Sequence, residues 1–364
     1  MISASSLSLQ RIVMPDFALR IIDWQKVNGR HDLPWQNTRD PYAIWVSEIM
    51  LQQTQVSAVV GYYQRFLRRF PDITALAAAS HEEVLQYWSG LGYYSRARNL
   101  HAAAQKIMHE HSGKFPESID AIMTLPGIGR STAAAIAAFA FSRSGAILDG
   151  NVKRVLARCF GIEGWPGQPS VAKKMWQLAE ALLPKQGIEA YTQGLMDLGA
   201  TLCTRKPACS QCPLQDICKA YQDDKVNSLP SPKPRKAVPQ RETVMLMFLS
   251  GNEILLEKRP PTGIWGGLWS LPEVSSTANT REIAKQRFGL ETEALPALPP
   301  MMHVFTHFTL KITPQPLQIR SKVLQLMEPG WVWLDLEDAA DAALPAPVKK
   351  LLRQIALLNL NKAA

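Results

Sequence analysis

Two carboxylic acids, Glu48 and Asp149, form a pair that can cleave a glycosidic bond. Glu48 lies on a predicted helix that begins near Pro41, and Ile44 and Leu51 share its face. A carboxyl group among apolar side chains stays protonated above its ordinary pKa of about 4.3 and can act as a general acid. Glycosidic cleavage needs this acid and a second carboxylate that balances the charge developing on the sugar. Taken singly, Glu48 can be a surface glutamate and Asp149 a helix cap.

A glycine-rich turn, LPGIGR, precedes Asp149 by one predicted helix and one return loop. Gly127 and Gly129 lack a Cβ, so a bulky partner can approach the backbone N–H groups of the turn. These N–H groups lie at a helix start, where unpaired donors and the helix dipole favour an anion. The pattern predicts a phosphate-binding turn, and its plainer alternative is a tight connection between two helices.

Four cysteines lie close together, at Cys203, Cys209, Cys212 and Cys218. Their crowding in a large chain indicates a metal site in a reducing compartment rather than a disulfide scaffold. A structural zinc site normally shows two Cys-x2-Cys pairs, and this chain has one, so the spacing disfavours zinc. The remaining cysteine, Cys159, is predicted to be an ordinary core residue.

The stretch LGYYSRARN joins two aromatic rings to two arginines. Tyr93 and Tyr94 can stack against bases, and Arg96 and Arg98 can meet phosphates. A helix start with one core tyrosine would explain the same residues without a nucleic acid.

Hydrophobic periodicity divides the chain into two parts. Helical spacing runs through residues 15–225, with helix start signals at Asp40-Pro41 and at Ser80 with Glu83. The stretch 222–242 holds four prolines, as an extended linker does. The elements predicted beyond it are a hairpin of 243–250 and 253–258, a helix near 280–288, a strand pair around 301–314, and a helix from 348 to about 358. The predicted domains are an all-helical domain (1–225), a linker (226–242) and a smaller α+β domain (243–364).

The composition bounds the partners and the compartment. A formal net charge of +9 suits a polyanion. The apolar run 133–141 is too short to span a bilayer, and the first residues lack the hydrophobic stretch of a signal peptide. We therefore expect a chain that suits a polyanionic partner and makes no use of a membrane.

The stretch RPPTGIWGGLWSLPE resembles the opening of a Nudix, or MutT-like, fold. A Nudix hydrolase then needs a glutamate-rich helix that holds its metal ions. Lys285, Gln286 and Arg287 stand where those carboxylates belong. Hydrolysis is therefore expected to be lost and the fold to remain as a binding surface.

Several stretches together, in this order and spacing, resemble the MutY-type adenine DNA glycosylases of the endonuclease III, or helix-hairpin-helix, superfamily. They are LPWQ (33–36), SEIMLQQTQV (47–56), GLGYYSRARN (90–99), LPGIGRSTA (125–133), ILDGNVKRVLAR (147–158), the cysteines and FTH (305–307). The resemblance implies a multidomain chain: an all-α glycosylase domain with one 4Fe-4S cluster on the four cysteines, then a Nudix-like domain that reads 8-oxoguanine. Its implied activity is hydrolysis of the N-glycosidic bond of a flipped-out adenine, mispaired with 8-oxoguanine or guanine in double-stranded DNA. The resemblance also implies a cytoplasmic, DNA-associated monomer of bacterial type.

The resemblance also assigns roles to residues. Glu48 would protonate N7 of adenine, and Asp149 would stabilise the oxocarbenium-like sugar. Tyr93 would intercalate beside 8-oxoguanine, Gln53 would fill the gap left by the adenine, and residues 303–308 would contact the lesion. The implied DNA- and lesion-contacting residues are Gln52, Gln53, Tyr93, Arg96, Gly127, Gly129, Ser131, Asn151, Lys153, Thr306 and His307.

Ser131 separates two branches of the superfamily. Bifunctional enzymes of the endonuclease III type carry a lysine here that forms a Schiff base with the sugar, which serine cannot do. A monofunctional glycosylase is expected. The alternatives are a bifunctional glycosylase/lyase, a damage-binding protein without catalysis, and a nucleotide hydrolase. Ser131 and the C-terminal domain argue against the bifunctional glycosylase/lyase. The presence of both Glu48 and Asp149 argues against a protein without catalysis, and the lost Nudix carboxylates argue against a nucleotide hydrolase.

Overall fold

The computed structural model describes residues 4–234, 238–305, 307–322 and 330–363. Contacts divide the chain into two units: residues 1–78 with 99–235, and residues 79–98 with 236–364. The domain limits expected from the sequence, with a single division near residue 230, stay a prediction. Within the described residues, no helix combines the length and the apolar character that crossing a bilayer requires.

The chain up to residue 234 is helical wherever the structure describes regular elements. The helices are α1 (Ala4–Asn28), α2 (Pro41–Leu51), α3 (Val56–Arg69), α4 (Ile73–Ala78), α5 (His81–Trp88), α6 (Ser95–Glu110), α7 (Ile119–Met123), α8 (Arg130–Phe141), α9 (Gly150–Cys159), α10 (Pro169–Ala181), α11 (Ile188–Thr201) and α12 (Lys219–Gln222). Two short 3-10 turns, Cys209–Gln211 and Gln215–Ile217, precede α12. Of these helices, α5 belongs to the second unit.

Side-chain caps explain where several helices begin. The Asp40 carboxylate accepts a hydrogen bond of 3.0 Å from the Tyr42 N–H, and Pro41 supplies the first helical position of α2. The Ser80 hydroxyl accepts 3.1 Å from the Glu83 N–H at the start of α5. Both helix starts predicted from the sequence are thereby confirmed.

The core of the first unit lies between α1, α8, α9 and α11. Phe17, Val155 and Leu198 are buried there, and the alanines of α8, Ala134 and Ala138, leave room for the neighbouring helices. Cys159 is 4% exposed in this core, as predicted. This packing fixes the starts of α8 and α9, which carry two residues of the candidate site, Ser131 and Asp149.

The second unit contains a mixed sheet. Its strands are β1 (Gln240–Ser250), β2 (Glu253–Lys258), β3 (Trp269–Ser270), β4 (Glu273–Val274), β5 (Leu290–Ala294), β6 (Met301–Val304), β7 (Thr309–Lys322) and β8 (Trp331–Asp335). Hydrogen-bonded neighbours follow the order β3-β2-β1-β7-β5. In addition, β4 pairs with β1, β6 with β7, and β8 with β2. β1 and β7 are parallel, and the other pairs are antiparallel.

Helices α13 (Thr280–Phe288), α14 (Leu336–Asp341) and α15 (Ala346–Ala363) complete the second unit. Phe288 of α13 packs on Phe248 of β1 with ring centroids 5.0 Å apart, inside a cluster with Leu255 and Leu317. The predicted hairpin and the helix at 280–288 are confirmed, and α15 extends beyond the predicted end at 358. The predicted fold class, a helical domain followed by a Nudix-like α+β domain, is confirmed.

Residues 79–98 are tied to the second unit by side chains along their whole length. The Glu82 carboxylate accepts a hydrogen bond from the Trp269 indole N–H and lies 3.0 Å from the Lys258 ammonium. The Tyr94 hydroxyl donates to the Leu344 carbonyl at 3.3 Å. These contacts position the loop that carries Tyr93.

Candidate active site

Glu48 and Asp149 line the same cavity of about 190 Å³ in the first unit. Glu48 is on the last turns of α2, and Asp149 is the residue immediately before α9. Ser131, at the start of α8, lines the same cavity. The structure therefore brings together the two carboxylates that the sequence singled out.

The Glu48 carboxyl group sits where its neutral form is favoured. Burial raises the pKa of Glu48 to about 7, and the negative charge of Asp149 contributes to the rise. Glu48 also borders a second cavity, of about 510 Å³, lined by polar side chains that include Arg30 and Gln193. A carboxyl group that holds its proton near neutral pH beside an open cavity can serve as a general acid.

Asp149 both caps a helix and faces the cavity. Its Oδ1 accepts a hydrogen bond of 2.8 Å from the Val152 N–H at the start of α9. Burial raises the pKa of Asp149, while the N–H groups of Val152 and Asn151 and the charge of Arg154 oppose the rise. The simple interpretation as a cap is correct, and the capping bonds also orient a carboxylate toward the Glu48 cavity.

The turn between α7 and α8 has the geometry that its glycines permit. Gly127 has a φ of +80°, and a Cβ there would lie 2.7 Å from the Cβ of Asn99. A Cβ on Gly129, the N-cap of α8, would meet open space. The Ser131 hydroxyl accepts a hydrogen bond of 2.8 Å from the Leu148 N–H. This bond connects the start of α8 to the segment that ends at Asp149.

The other residues predicted near the carboxylates lie around the same cavity or beside it. Gln52 and Asn151 line it; the Gln52 amide is 3.3 Å from the Thr132 hydroxyl. Gln53 is exposed, with a φ of +56°, in the turn after α2. Lys153 is half-buried on the first turn of α9.

Three polar residues of this site were not predicted from the sequence. Arg30 and Gln193 line both cavities that Glu48 borders, and Asp197 lies behind them, fully buried on α11. A signal was present: Asp197 stands in the apolar helical stretch LMDLG, where a carboxylate is unusual unless it is paired.

The loop of residues 90–94 places Tyr93 outward and Arg96 inward. Tyr93 is 46% exposed and has a φ of +49°. Arg96 is 8% exposed, and its guanidinium donates to the Gly92 carbonyl at 3.2 Å. Contrary to the expectation of a phosphate contact, Arg96 holds the loop, because its guanidinium is turned toward backbone carbonyls.

A cavity of about 440 Å³ in the second unit is bordered by aromatic side chains, among them residues predicted to meet the lesion. Tyr93, Trp265, His303 and His307 line it, and the Trp265 and His303 rings are 5.5 Å apart. Burial lowers the pKa of His303. Thr306 lies outside the described residues.

The four cysteines line one cavity whose other walls are largely apolar. Arg158 approaches it, with its Nη1 3.4 Å from the Cys203 sulfur. Thiolates that surround a shared space and lie near a cation suit an iron–sulfur cluster, which would join the 3-10 turns to the end of α11. Among the described residues, no three His, Cys, Asp or Glu side chains gather as ligands of a single ion do.

The helix that would hold metal ions in a Nudix hydrolase carries other groups here. On α13, the Arg287 guanidinium pairs with Glu257, and the Gln286 amide donates to Glu282 at 3.0 Å. Lys285 lies on the same helix. The basic and amide side chains replace the expected carboxylates, as the sequence indicated.

Three family models match the chain. They are the HhH-GPD superfamily of base excision DNA repair proteins over residues 46–181, the NUDIX domain over 243–354, and the iron-sulfur binding domain of endonuclease III over 205–218. The third match includes Cys209, Cys212 and Cys218. The segment is therefore an iron–sulfur binding segment.

Known proteins resemble the chain over most of its length. An adenine DNA glycosylase of Buchnera aphidicola subsp. Schizaphis graminum is 36% identical, over 92% of this chain and 97% of that protein. The adenine DNA glycosylase of Homo sapiens is 34% identical, over 96% of this chain and 76% of that protein. The solved structure of a thermostable thymine-DNA glycosylase is 30% identical with a TM-score of 0.53, covering 60% of this chain and 99% of that one.

Proposed function

Because the chain belongs to the adenine DNA glycosylases, DNA N-glycosylases of base excision repair, we propose that its substrate is adenine mispaired with 8-oxoguanine or with guanine in double-stranded DNA. One observation carries the catalytic part of this proposal: Glu48 and Asp149 line the same cavity, and burial raises the pKa of Glu48 to about 7. The lesion-reading part is supported by the aromatic cavity around Tyr93 in the second unit.

The two carboxyl groups divide the reaction. As the bond between C1′ and N9 breaks, its electron pair goes to adenine, and Glu48 gives its proton to N7. The Asp149 carboxylate stabilises the positive charge that develops on the sugar. Water then adds to C1′ and releases a proton to one of the two carboxylates, leaving free adenine and an abasic sugar.

The reaction ends at hydrolysis. The cavity offers the Ser131 hydroxyl at the place where a lyase would need an amine, and that hydroxyl accepts a hydrogen bond from Leu148. A monofunctional enzyme is therefore proposed, and it leaves the strand intact.

Single-turnover excision on matched duplexes tests the proposal. Adenine should be released opposite 8-oxoguanine fastest, opposite guanine more slowly, and opposite thymine or cytosine least. The sugar–phosphate strand should break only after alkali treatment. Equal release from all four duplexes would contradict the proposed substrate, and strand breakage without alkali would contradict the monofunctional assignment.

The pH dependence of excision should report the proton on Glu48. Since the Glu48 pKa is raised to about 7, the acid form predominates below that pH and is lost above it. The single-turnover rate opposite 8-oxoguanine should therefore fall by about tenfold per pH unit well above pH 7. A rate that stays level up to about pH 9 would exclude Glu48 as the acid, because its proton would by then be gone.

His307→Ala should weaken the preference for 8-oxoguanine over guanine. The imidazole lines the aromatic cavity, and one hydrogen bond to a base edge is worth roughly 2- to 13-fold in discrimination. The ratio of the two excision rates measures it. Met302→Ala is the matched control, since Met302 is exposed on the neighbouring strand β6 away from the cavity lining. A full ratio in His307→Ala would move lesion reading to other residues.

A further inference from the structure

The carboxylate of Asp197 is completely buried and fully engaged. Its Oδ2 accepts a hydrogen bond of 2.9 Å from the Arg30 backbone N–H. Its Oδ1 accepts 2.7 Å from the Arg30 Nε and 2.8 Å from the Gln193 amide. The Arg30 Nη2 also lies 2.6 Å from Oδ1. A buried carboxylate is tolerated when it is paired in this way, and leaving its partner unpaired is costly.

Both partners of Asp197 belong to the walls of the catalytic site. Arg30 and Gln193 line each of the two cavities that Glu48 borders. Asp197 itself lines neither, so its carboxylate is held behind these two side chains on α11. Its negative charge therefore acts on the cavity through Arg30.

The other charged groups around Glu48 are arranged in a similar way. Arg39 pairs with Glu189 at 3.0 Å, and the His31 imidazole is 3.0 Å from the Gln25 carbonyl. Asp149 adds a negative charge within the smaller cavity. Two arginines that line the cavities are thus neutralised by a carboxylate. Asp197 compensates the charge of Arg30, and Glu189 compensates the charge of Arg39.

We propose that Asp197 is a positioning residue of the glycosylase: it cancels the charge of Arg30, so that Glu48 keeps its proton, and it fixes Arg30 and Gln193 as the wall of the base cavity. The inference rests on the proposed role of Glu48 as the acid. If Asp197 were only a fold-stabilising residue, its loss would lower stability but leave the protonation of Glu48 unchanged.

Asp197→Asn separates these two possibilities. The amide keeps the size and one acceptor oxygen, but it leaves the Arg30 charge uncompensated in the wall of the cavities that Glu48 borders. A cation in that wall favours the ionised carboxylate. The alkaline limb of the pH–rate profile should move to lower pH by about one unit. Arg30→Gln together with Asp197→Asn removes both charges and should return the limb close to its wild-type position.

Two further variants serve as controls. Arg30→Lys keeps the charge and should hold the limb in place, even where it costs rate. Asp23→Asn makes the same change in an ion pair with Lys26 whose side chains are 72% and 61% exposed, and it should leave the profile unchanged.

Carbon-13 NMR of the labelled Glu48 carboxyl group measures its titration midpoint directly, without any need for catalytic turnover. A lower midpoint in Asp197→Asn and its return in the double variant would support the proposal. An unchanged midpoint in folded Asp197→Asn protein would overturn it. If Asp197→Asn fails to fold, Arg30→Gln decides, because it leaves the Asp197 charge uncompensated and should raise the midpoint. An unchanged or lower midpoint in Arg30→Gln would also overturn the proposal. Wild-type protein that titrates as expected but excises no adenine would instead count against the proposed function.

Discussion

Glu48→Gln should lower single-turnover excision of adenine by roughly 10²–10⁴-fold, the usual contribution of a general acid. Glutamine keeps the shape of the side chain at the junction of the two cavities but has no proton to give to the departing base. Duplex binding should stay close to that of the wild type, because phosphate contacts dominate affinity for DNA. The measurement pairs excision opposite 8-oxoguanine with a binding titration on the same duplex.

The same variant should show the cost of burying Glu48. The folded pKa of about 7 lies above the unfolded value, so the protonated carboxyl group stabilises the folded state at low pH. That stabilisation is lost as the pH rises from the ordinary glutamate pKa to about 7, because the unfolded chain ionises first. Glu48→Gln lacks that loss, so its Tm relative to wild type should increase between about pH 4.5 and about pH 7 and stay level above about pH 8. Glu110→Gln, an exposed partner of Lys106, is the control for both measurements. Excision by Glu48→Gln within tenfold of wild type would assign the proton to another group.

Asp149→Asn should lower excision on the order of 10²–10³-fold or more, as the loss of a charge aimed at the transition state does. Asparagine caps a helix about as well as aspartate, so the bond to the Val152 N–H and the start of α9 should survive. Stability should therefore change little while the reaction stops. Asp149→Asn should therefore differ from the wild type in the rate of the chemical step and not in stability.

The outcome separates the two roles of Asp149. If the residue only capped α9, Asp149→Asn would be silent in both Tm and excision. Asp149→Ala, which loses the cap as well as the charge, should cost about 1 kcal/mol of stability in addition to activity. Near-normal excision by Asp149→Asn would leave Glu48 as the sole catalytic carboxylate.

Sequence patterns predicted what local chemistry determines. Asp40-Pro41 and Ser80 specified helix starts, and the hairpin and α13 followed from alternation and from flanking turn residues. The pairing of Glu48 with Asp149 was predicted because both residues suit one reaction, although nothing local in either stretch places them together.

The positions of the residues that were predicted wrongly or not predicted at all are determined by contacts formed in the folded structure. Arg96 was expected at a phosphate because it stands with a second arginine beside two aromatic rings, but the Gly92 carbonyl and the Trp88 ring hold it inside the loop. Asp197 and Arg30 are far apart in sequence, so their pairing through the fold gave no periodic signal. Long-range ion pairs of this kind are decided by packing, which one sequence does not reveal.

The attachment of residues 79–98 to the second unit has a consequence for how the protein is made. This segment leaves the ribosome well before the strands that hold it, and the bond from Tyr94 to Leu344 spans 250 residues. Closing so large a loop carries an entropic cost, and the contact forms only once nearly the whole chain has been synthesised. Until then the loop of Tyr93 lacks its native neighbours. A polypeptide ending near residue 230 therefore retains this nascent state, and proteolytic nicking between 79 and 98 should be faster in it than in the finished chain.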